Sequence, residues 1–193
     1  MARQREFDRE AALERAMHLF WAKGYAGTSV SDLTEGMGLS RSSLYATFGG
    51  KDDLFAETLA SYVASIDRRR ARLLRGGPSA KQALRDYFSG VLDFTLSERL
   101  PGGCYFTNTA AALEGADARV HAIVRRGDAR QEQDLLDCLR RGRARGEIPA
   151  GKDLLALARY LGGLVRGLTV LARMRKPRRV LDDVVAVGLT ALD

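Results

Sequence analysis

Apolar residues recur at helical spacing through most of the chain, and the first such segment lies near the N-terminus. Asp8 is a suitable N-cap for it, and Gly24 is a suitable C-cap. Residues three and four positions apart lie on one face of a helix, so the spacing predicts an amphipathic helix over residues 8–23. Its apolar stripe consists of Ala12, Leu13, Ala16, Met17, Leu19 and Phe20.

Two short helices are predicted next. The first begins after Thr28 or Ser29 and ends in the glycine-rich stretch 36–38, and Ser40 caps the second, which runs over residues 41–48. Two helices joined by a tight turn form the helix-turn-helix arrangement, in which the second helix enters the major groove of DNA. The pattern therefore predicts a DNA-binding domain of three helices at the N-terminus.

Glycine and proline breaks divide the rest of the chain into further helical segments. Strand signals are scarce, whereas Ala, Leu and Arg, which favour helices, are abundant. We predict an all-α fold of about nine helices, with domains over residues 1–50 and 51–193 linked by the helix at 51–75. The remaining helices are predicted over residues 79–99, 104–113, 117–145, 152–175 and from beyond Pro177 to residue 192.

The charge of the chain adds little to this prediction. The formal net charge is +7, which favours a polyanionic partner. Residues 1–51 nevertheless hold seven Arg or Lys against six Asp or Glu, so most of the excess lies outside the predicted DNA-binding segment. No apolar run approaches the roughly 18 residues of a membrane span, and the chain opens with charged residues instead of a signal segment. We therefore predict a cytoplasmic protein without a membrane partner.

Neither the cysteines nor the histidines indicate a metal site. Cys104 and Cys138 lie far apart, and His18 and His121 have no potential ligands at metal-binding spacing. No metal or other cofactor is predicted. The chain also lacks a paired histidine and carboxylate set and a phosphate-binding glycine loop, so we do not predict an enzyme. An all-α enzyme and a protein-interaction adaptor remain the alternatives, and DNA binding distinguishes them from a regulator.

The exposed face of the helix at 41–48 has side chains suited to DNA. Arg41 can donate two hydrogen bonds to a guanine edge, and the hydroxyls of Ser42, Ser43 and Thr47 can approach bases or phosphates. Phosphate contacts are predicted for residues near helix N-termini or with a free hydroxyl or ammonium group. These are Thr28, Ser29, Tyr45 and Lys51. The tail with Arg3 and Arg5 is a candidate for a neighbouring groove.

Residues 24–55, GYAGTSVSDLTEGMGLSRSSLYATFGGKDDLF, closely resemble the N-terminal domain of TetR-family transcriptional regulators. The shared pattern is Gly24-Tyr25, Thr28-Ser29, Asp32-Leu33, Gly38-Leu39-Ser40, Leu44-Tyr45, Phe48 and Lys51-Asp52-Asp53-Leu54. Thr34, where the family usually has Ala, and Gly36 depart from the pattern outside the DNA-facing set. The resemblance implies base contacts from residues 41–43 and 47. It also implies a repressor that a small-molecule effector releases from palindromic operator DNA, with residues 51–193 binding the ligand and dimerising.

The last two predicted helices are apolar on more than one side. Because a helix of this kind must be covered on more than one side, a second copy of the chain is the expected cover. Gly162, Gly163 and Gly167 would allow a close approach between helices. We predict a homodimer through residues 152–192, and a central position in a monomer is the alternative.

The resemblance further implies a pocket between the helices of residues 79–175. Aromatic side chains with a few polar groups suit such a pocket, and its apolar character favours an uncharged or weakly polar ligand. The candidate lining residues are Tyr62, Phe88, Leu92, Cys104, Phe106, Asn108, Thr109, Tyr160, Leu164 and Leu168.

Cys104 has a second interpretation. It follows two glycines at a predicted helix N-terminus, where backbone N–H groups favour a thiolate. Its position also resembles that of cysteines in TetR-like regulators that respond to electrophiles or oxidants. A small buried residue is the alternative.

Overall fold

The computed structural model describes residues 8–193, which form an α-helical protein with no strand in that range. Its helices are α1 (Arg9–Lys23), α2 (Val30–Met37), α3 (Arg41–Phe48), α4 (Lys51–Arg75), α5 (Ala80–Thr95), α6 (Tyr105–Ala110), α7 (Ala118–Ala144), α8 (Leu154–Arg173) and α9 (Arg178–Leu189), followed by a 3₁₀ turn at Thr190–Leu192. The predicted fold class, a helix-turn-helix domain followed by a helical domain, is confirmed.

The first three helices begin and end where their capping residues are. The Asp8 carboxylate accepts hydrogen bonds from the first turn of α1. Ser29 and Asp32 form a reciprocal capping box at the start of α2, which satisfies N–H groups that have no partner inside the helix. Gly38 ends α2 with φ +68°, a conformation that glycine adopts without steric cost. Ser40 then caps α3, so two helices are joined by a turn of only three residues.

Several predicted helix ends are wrong in the C-terminal half. The fifth helix ends at Thr95 and not near residue 99: Leu96 is its C-cap, and the chain continues in turns up to residue 103. The sixth begins at Tyr105 and ends at Ala110, after which residues 111–116 are irregular. Helix α8 begins two residues later than predicted, at Leu154, and α9 ends at Leu189.

Two hydrophobic clusters organise the protein. The N-terminal core joins α1, α2, α3 and the first half of α4 to α6 and the start of α7, and it includes Trp21, Leu44, Tyr105 and Val120. The C-terminal core joins the end of α4 to α5, α7, α8 and α9. The domain boundary at residue 50 stays a prediction, and the N-terminal core continues across it. The helix-turn-helix is therefore packed directly on α4 and α6.

Helix α8 is the one described helix that is long and apolar enough, by length and composition, to span a membrane, with a mean hydropathy of 1.5. The sequence was expected to contain no segment that approaches a membrane span. Helix α8 meets the criterion because its mean hydropathy stays high although it contains Arg159 and Arg166. Its buried face, which includes Leu161 and Leu168, lies in the C-terminal core. Packing against α5, α7 and α9 accounts for that half of its apolar surface.

Candidate DNA-binding surface and ligand cavities

The candidate recognition surface is the outer face of α3. Leu44 and Phe48 point into the N-terminal core, and this fixes the rotation of the helix. Arg41 and Tyr45 are exposed next to this buried edge, with the Arg41 guanidinium carbon 5.9 Å from the centre of the Tyr45 ring. Ser42 is also exposed, whereas Ser43 and Thr47 are half-buried and flank this face. The predicted α3 residues thus lie on the part of the helix surface that Leu44 and Phe48 leave outside the core.

Three serine hydroxyls cluster at the N-terminus of α3. The Ser40 oxygen lies 2.9 Å from that of Ser42 and 2.8 Å from that of Ser43, and it accepts a hydrogen bond from the Ser43 backbone N–H. Ser42 is exposed and Ser43 is half-buried, so Ser42 has the more accessible hydroxyl of the two predicted serines. The cluster holds short polar side chains at the end of the helix that would meet base edges.

The two residues predicted at the start of α2 differ in accessibility. Ser29 is exposed, and its hydroxyl donates to Asp32 at 2.6 Å. Thr28 is fully buried, and its hydroxyl donates to the Gly24 carbonyl oxygen at 2.7 Å. The predicted phosphate contact from the Thr28 side chain is therefore not supported, because its hydroxyl already bridges the α1–α2 turn. Lys23 and Ser29 together hold the pKa of Asp32 well below its usual range.

Lys51 is positioned by a residue for which no DNA contact was predicted. Its ammonium nitrogen lies 4.1 Å above the centre of the Tyr25 ring. The Tyr25 hydroxyl in turn donates to the Asp52 carboxylate, and this hydrogen bond raises the pKa of Tyr25 to about 12. Gly50 provides no side-chain cap at the start of α4, so the first N–H groups of that helix remain beside the Lys51 ammonium. The predicted tail contacts of Arg3 and Arg5 lie outside the described residues.

A central cavity of about 140 Å³ lies between α4, α5, α6, α7 and α8. Tyr62, Cys104 and Phe106, three of the predicted lining residues, contribute to its wall. Gly90 and Gly127 widen it, since a Cβ atom at Gly127 would lie 2.8 Å from the Phe106 ring. The remaining wall is largely apolar and aromatic, with Val63, Ile66, Leu73, Tyr87, Val91, Phe94 and Val165.

The other predicted pocket residues lie elsewhere. Phe88, Leu92 and Leu168 are buried in the C-terminal core, because the helices that carry them pack together at those positions. Leu164 packs over Gly188 of α9, and Tyr160 is 46% exposed on the outside of α8. Asn108 and Thr109 line a different cavity, next to α1. For Phe88, Leu92, Tyr160, Leu164 and Leu168 the structure therefore corrects the predicted position.

The sequence analysis missed a buried ionic cluster at the wall of the central cavity. The Arg70 guanidinium donates to Asp67 of its own helix and to Asp134 of α7, each at 2.8 Å, and its side chain is 5% exposed. The available signal was spacing, because Arg70 stands four residues after Ile66 and four before Leu74 on the buried stripe of α4. A buried ion pair that loses one partner leaves an unpaired charge, which is strongly destabilising. The cluster therefore fixes α4 against α7.

Two further polar contacts line the same cavity. The Tyr62 hydroxyl donates to the Cys104 sulfur at 3.3 Å, and burial raises the pKa of Tyr62. The Gln131 amide donates to the Tyr87 hydroxyl oxygen at 3.0 Å, which leaves the phenol hydrogen as a donor at the wall. A ligand in this cavity would meet an apolar surface with a thiol and a phenol at fixed positions.

An exposed apolar face runs along α8 and α9. It carries large side chains with exposed fractions from 37% for Leu155 to 72% for Val187. A Cβ atom at Gly163 or Gly167 on this face would meet no other atom of the chain within 4 Å. The large residues of the face are Leu155, Tyr160, Val170, Met174, Val180 and Val187.

Comparisons with known proteins agree in both halves of the chain. Residues 12–58 match the family described as bacterial regulatory proteins, tetR family, and residues 80–187 match the tetracyclin repressor-like C-terminal domain. The HTH-type transcriptional repressor ComR of Escherichia coli (strain K12) is 36% identical over 172 residues, covering 89% of this chain and 82% of ComR. The uncharacterized HTH-type transcriptional regulator YezE of Bacillus subtilis (strain 168) is 33% identical over 194 residues, covering 100% of both chains.

A solved structure is similar over the whole chain. It is a cysteine-substituted form of the TetR family transcriptional regulator CifR complexed with 26-base-pair double-strand operator DNA. Its TM-score is 0.88 at 35% sequence identity, and the alignment covers 100% of both chains.

Proposed function

Because this chain belongs to the TetR family of bacterial transcriptional regulators, we propose that it is a repressor that binds palindromic operator DNA as a cytoplasmic homodimer. A small molecule that binds the central cavity would release it from the operator. ComR is a transcriptional repressor and CifR binds an operator duplex, and both are similar over most of their length. The proposal gives the chain no catalytic role.

The observation that carries the proposal is the exposed face of α3. Its inner residues are buried and its ends are capped, so Arg41, Ser42 and Tyr45 stand on a rigid helix with no contact to the C-terminal core. A short helix with an exposed polar face fits the major groove, where an arginine reads guanine. Lys51 and the N-terminus of α4 would contact the flanking phosphates.

Selection of duplexes from a random pool by the purified protein tests the proposal directly. We expect an enriched palindrome with half-sites about one helical turn apart, because a two-fold dimer presents two copies of α3. Failure to enrich any sequence with a folded, dimeric protein would contradict the proposal and favour an adaptor or an enzyme.

Substitutions separate base contacts from phosphate contacts on the selected operator. Arg41→Ala should relax the preference at one base pair and cost about 1–3 kcal/mol of binding free energy. Lys51→Ala should weaken binding to all sequences alike and reduce the slope of log affinity against log salt concentration by about one. Arg125→Ala, which removes an exposed arginine from α7, is the charge-matched control. It should leave the base preference and the salt dependence of binding unchanged. Equal effects of all three variants would argue that only net charge matters.

Homodimerisation is proposed through the exposed apolar face of α8 and α9. Contiguous exposed apolar surface of this kind marks a protein–protein interface. A ligand that prefers one separation of the two DNA-binding domains would shift the dimer between its DNA-competent and released states. Helix α4 would transmit the change, because it lines the central cavity and also packs against α1 and α3.

Cys104 supports a second candidate function, a thiol-based response to oxidants or electrophiles. The specific observation is that its sulfur faces the central cavity and accepts a hydrogen bond from Tyr62. Cys138 provides an internal control, since it is fully buried and burial raises the pKa of its thiol. A reactive cysteine needs both access and thiolate character.

Limited alkylation with iodoacetamide tests this candidate. We expect Cys104 to react well before Cys138, and Cys104→Ser to abolish the early labelling. Alkylated wild-type protein should lose operator affinity, whereas Cys104→Ser should keep it under the same treatment. An unreactive Cys104 in the folded protein would end the thiol-based proposal and leave the ligand-released repressor.

A further inference from the structure

A second cavity of about 520 Å³ lies at the junction of the helix-turn-helix with the rest of the protein. It is bounded by the end of α1, the start of α4, α6 and the irregular segment 111–116. We call it the junction cavity. It shares no lining residue with the central cavity, so the two are separate spaces.

One wall of the junction cavity is aromatic. The ring centres of Phe20 and Phe55 are 5.0 Å apart, and those of Phe55 and Tyr105 are 6.1 Å apart. Trp21 stacks beside Tyr105 with ring centres 6.2 Å apart and also lines the cavity. These rings are fixed by their packing in the N-terminal core, and the edges that reach the cavity, Phe55 at 6% exposure the most, offer an apolar surface to the body of a small organic ligand.

The opposite wall has hydrogen-bond donors without acceptors. The Asn108 side-chain nitrogen is buried and has no hydrogen-bond partner among residues 8–193. A buried donor in this state costs free energy that an acceptor from a ligand would recover. Arg173 lines the same cavity, and a Cβ atom at Gly103 would lie 3.2 Å from the Arg173 Cβ and 3.6 Å from the Asn108 Oδ1. Within the described residues, no carboxylate lies within ion-pair distance of the Arg173 guanidinium.

Two of the three carboxylates that line this cavity are engaged, whereas Glu114 has no ion pair or hydrogen bond among the described residues. Asp52 accepts the Tyr25 hydroxyl, and Asp117 caps α7 and is paired with Arg119. The lysine at the rim, Lys23, is also engaged, by Asp32. Arg173 is therefore the basic group of this cavity that is still available for an anionic ligand.

We propose that the junction cavity is a second binding site that takes a small organic acid with an apolar or aromatic body. The body would lie against Phe20, Phe55 and Tyr105, and the carboxylate would accept hydrogen bonds from Asn108 and Arg173. Charge-assisted hydrogen bonds from arginine to a carboxylate are stronger than neutral ones, so the acid is preferred over its amide. The cavity touches α1 and α4 next to Lys51. Its coupling to DNA affinity rests on the proposed function, whereas binding itself does not.

Titration of the full-length protein with matched acids and amides tests the site. The probes are phenylacetate, cyclohexylacetate and hydrocinnamate, each with its primary amide. Binding is read by calorimetry and by the emission of Trp21, the single tryptophan of the chain, which lines this cavity. We expect the acids to bind about tenfold more tightly than their amides, as charge-assisted hydrogen bonds predict.

Four variants locate the bound acid. Arg173→Gln should weaken the acids about tenfold and leave the amides unchanged, and Asn108→Leu should weaken both. Ala112→Phe, at an exposed rim position, should obstruct the junction cavity and weaken both. Gly127→Ala, which narrows only the central cavity, is the control and should change neither affinity.

The outcomes separate the site from the proposed function. The proposed site would be overturned if no probe bound or if acids and amides bound equally well. It would also be overturned if Gly127→Ala abolished binding while Ala112→Phe left binding unchanged. With the site saturated by phenylacetate, an altered operator affinity in the wild type, absent in Ala112→Phe, would support coupling. An unchanged operator affinity would overturn the coupling. Failure to bind any operator would instead overturn the proposed function, with acid binding intact.

Discussion

Single residues decide whether the central cavity is open. Gly127 of α7 faces the Phe106 ring, and a Cβ atom there would also lie 3.3 Å from a Val63 methyl carbon. Interiors are packed closely enough that one added methyl group is felt. The absence of a side chain at Gly127 therefore maintains both the cavity and the fit of α7 against α4 and α6.

Gly127→Ala should destabilise the protein although alanine favours helices. We expect the free energy of unfolding to fall by about 1–3 kcal/mol, the usual cost of overpacking a well-filled core. Urea denaturation followed by circular dichroism measures it. Ala129→Ser, which adds one atom at an exposed position on the same helix, is the control and should have little effect. An increase of about 1 kcal/mol in the free energy of unfolding is the usual effect of replacing glycine by alanine in an unobstructed helix, and it would contradict the close packing at Gly127.

At the scale of elements, α8 has two different apolar faces. One face lies in the C-terminal core and includes Leu161 and Leu168, and the other carries Tyr160 and Val170 in the open. Gly163 and Gly167 lie on the open face, one helical turn apart. Small residues between large apolar ones allow two helices to approach closely, and a two-fold interface needs such a patch to be self-complementary.

Gly163→Arg should convert the dimer to a monomer without disturbing the protomer. Gly163 is exposed, and a Cβ atom there would meet no other part of the protomer within 4 Å, so the fold is expected to remain intact. A buried, unpaired arginine in the interface is strongly unfavourable. Analytical ultracentrifugation should show a monomer, and operator binding should weaken.

Gly151→Arg is the matched control, because Gly151 is equally unobstructed but lies in the turn before α8. It should remain dimeric. A dimeric Gly163→Arg variant would place the interface on another surface.

At the scale of the whole molecule, the helices α1–α3 share a hydrophobic core with α4, α6 and the start of α7. Trp21 of α1 donates from its indole nitrogen to the Gly102 carbonyl oxygen at 3.0 Å and packs beside Phe94 of α5. The N-terminal core continues through α6 to Val120 and Val124 of α7. Loss of the packing in either part would expose apolar surface of the other.

The emission of Trp21 and the far-ultraviolet circular dichroism should therefore lose their native signals in one coincident thermal transition. Coincidence of independent probes is the expected behaviour of a single cooperative unit. A tryptophan transition at a clearly lower temperature would show that the helix-turn-helix unfolds on its own. A ligand in either cavity should raise both transitions together.

The sequence by itself determined the features of this protein that depend on neighbouring residues. Asp8, Ser29, Gly38 and Ser40 determine the ends of α1, α2 and α3, because capping depends on residues adjacent to the helix. The helical spacing of Leu44 and Phe48 likewise places both side chains inward and leaves Arg41 and Tyr45 exposed. The fold class and the DNA-facing side of α3 follow from such short-range patterns.

The tertiary structure alone decided which distant residues meet. Phe88 and Leu92 are as apolar as the residues that line the central cavity, and only the packing of α5 against its neighbours places them in the core. Thr28 and Ser29 have similar side chains, but one hydroxyl is buried against Gly24 and the other is exposed. Composition and spacing constrain one helix at a time, whereas a cavity depends on the relative positions of several helices, which their combined packing determines.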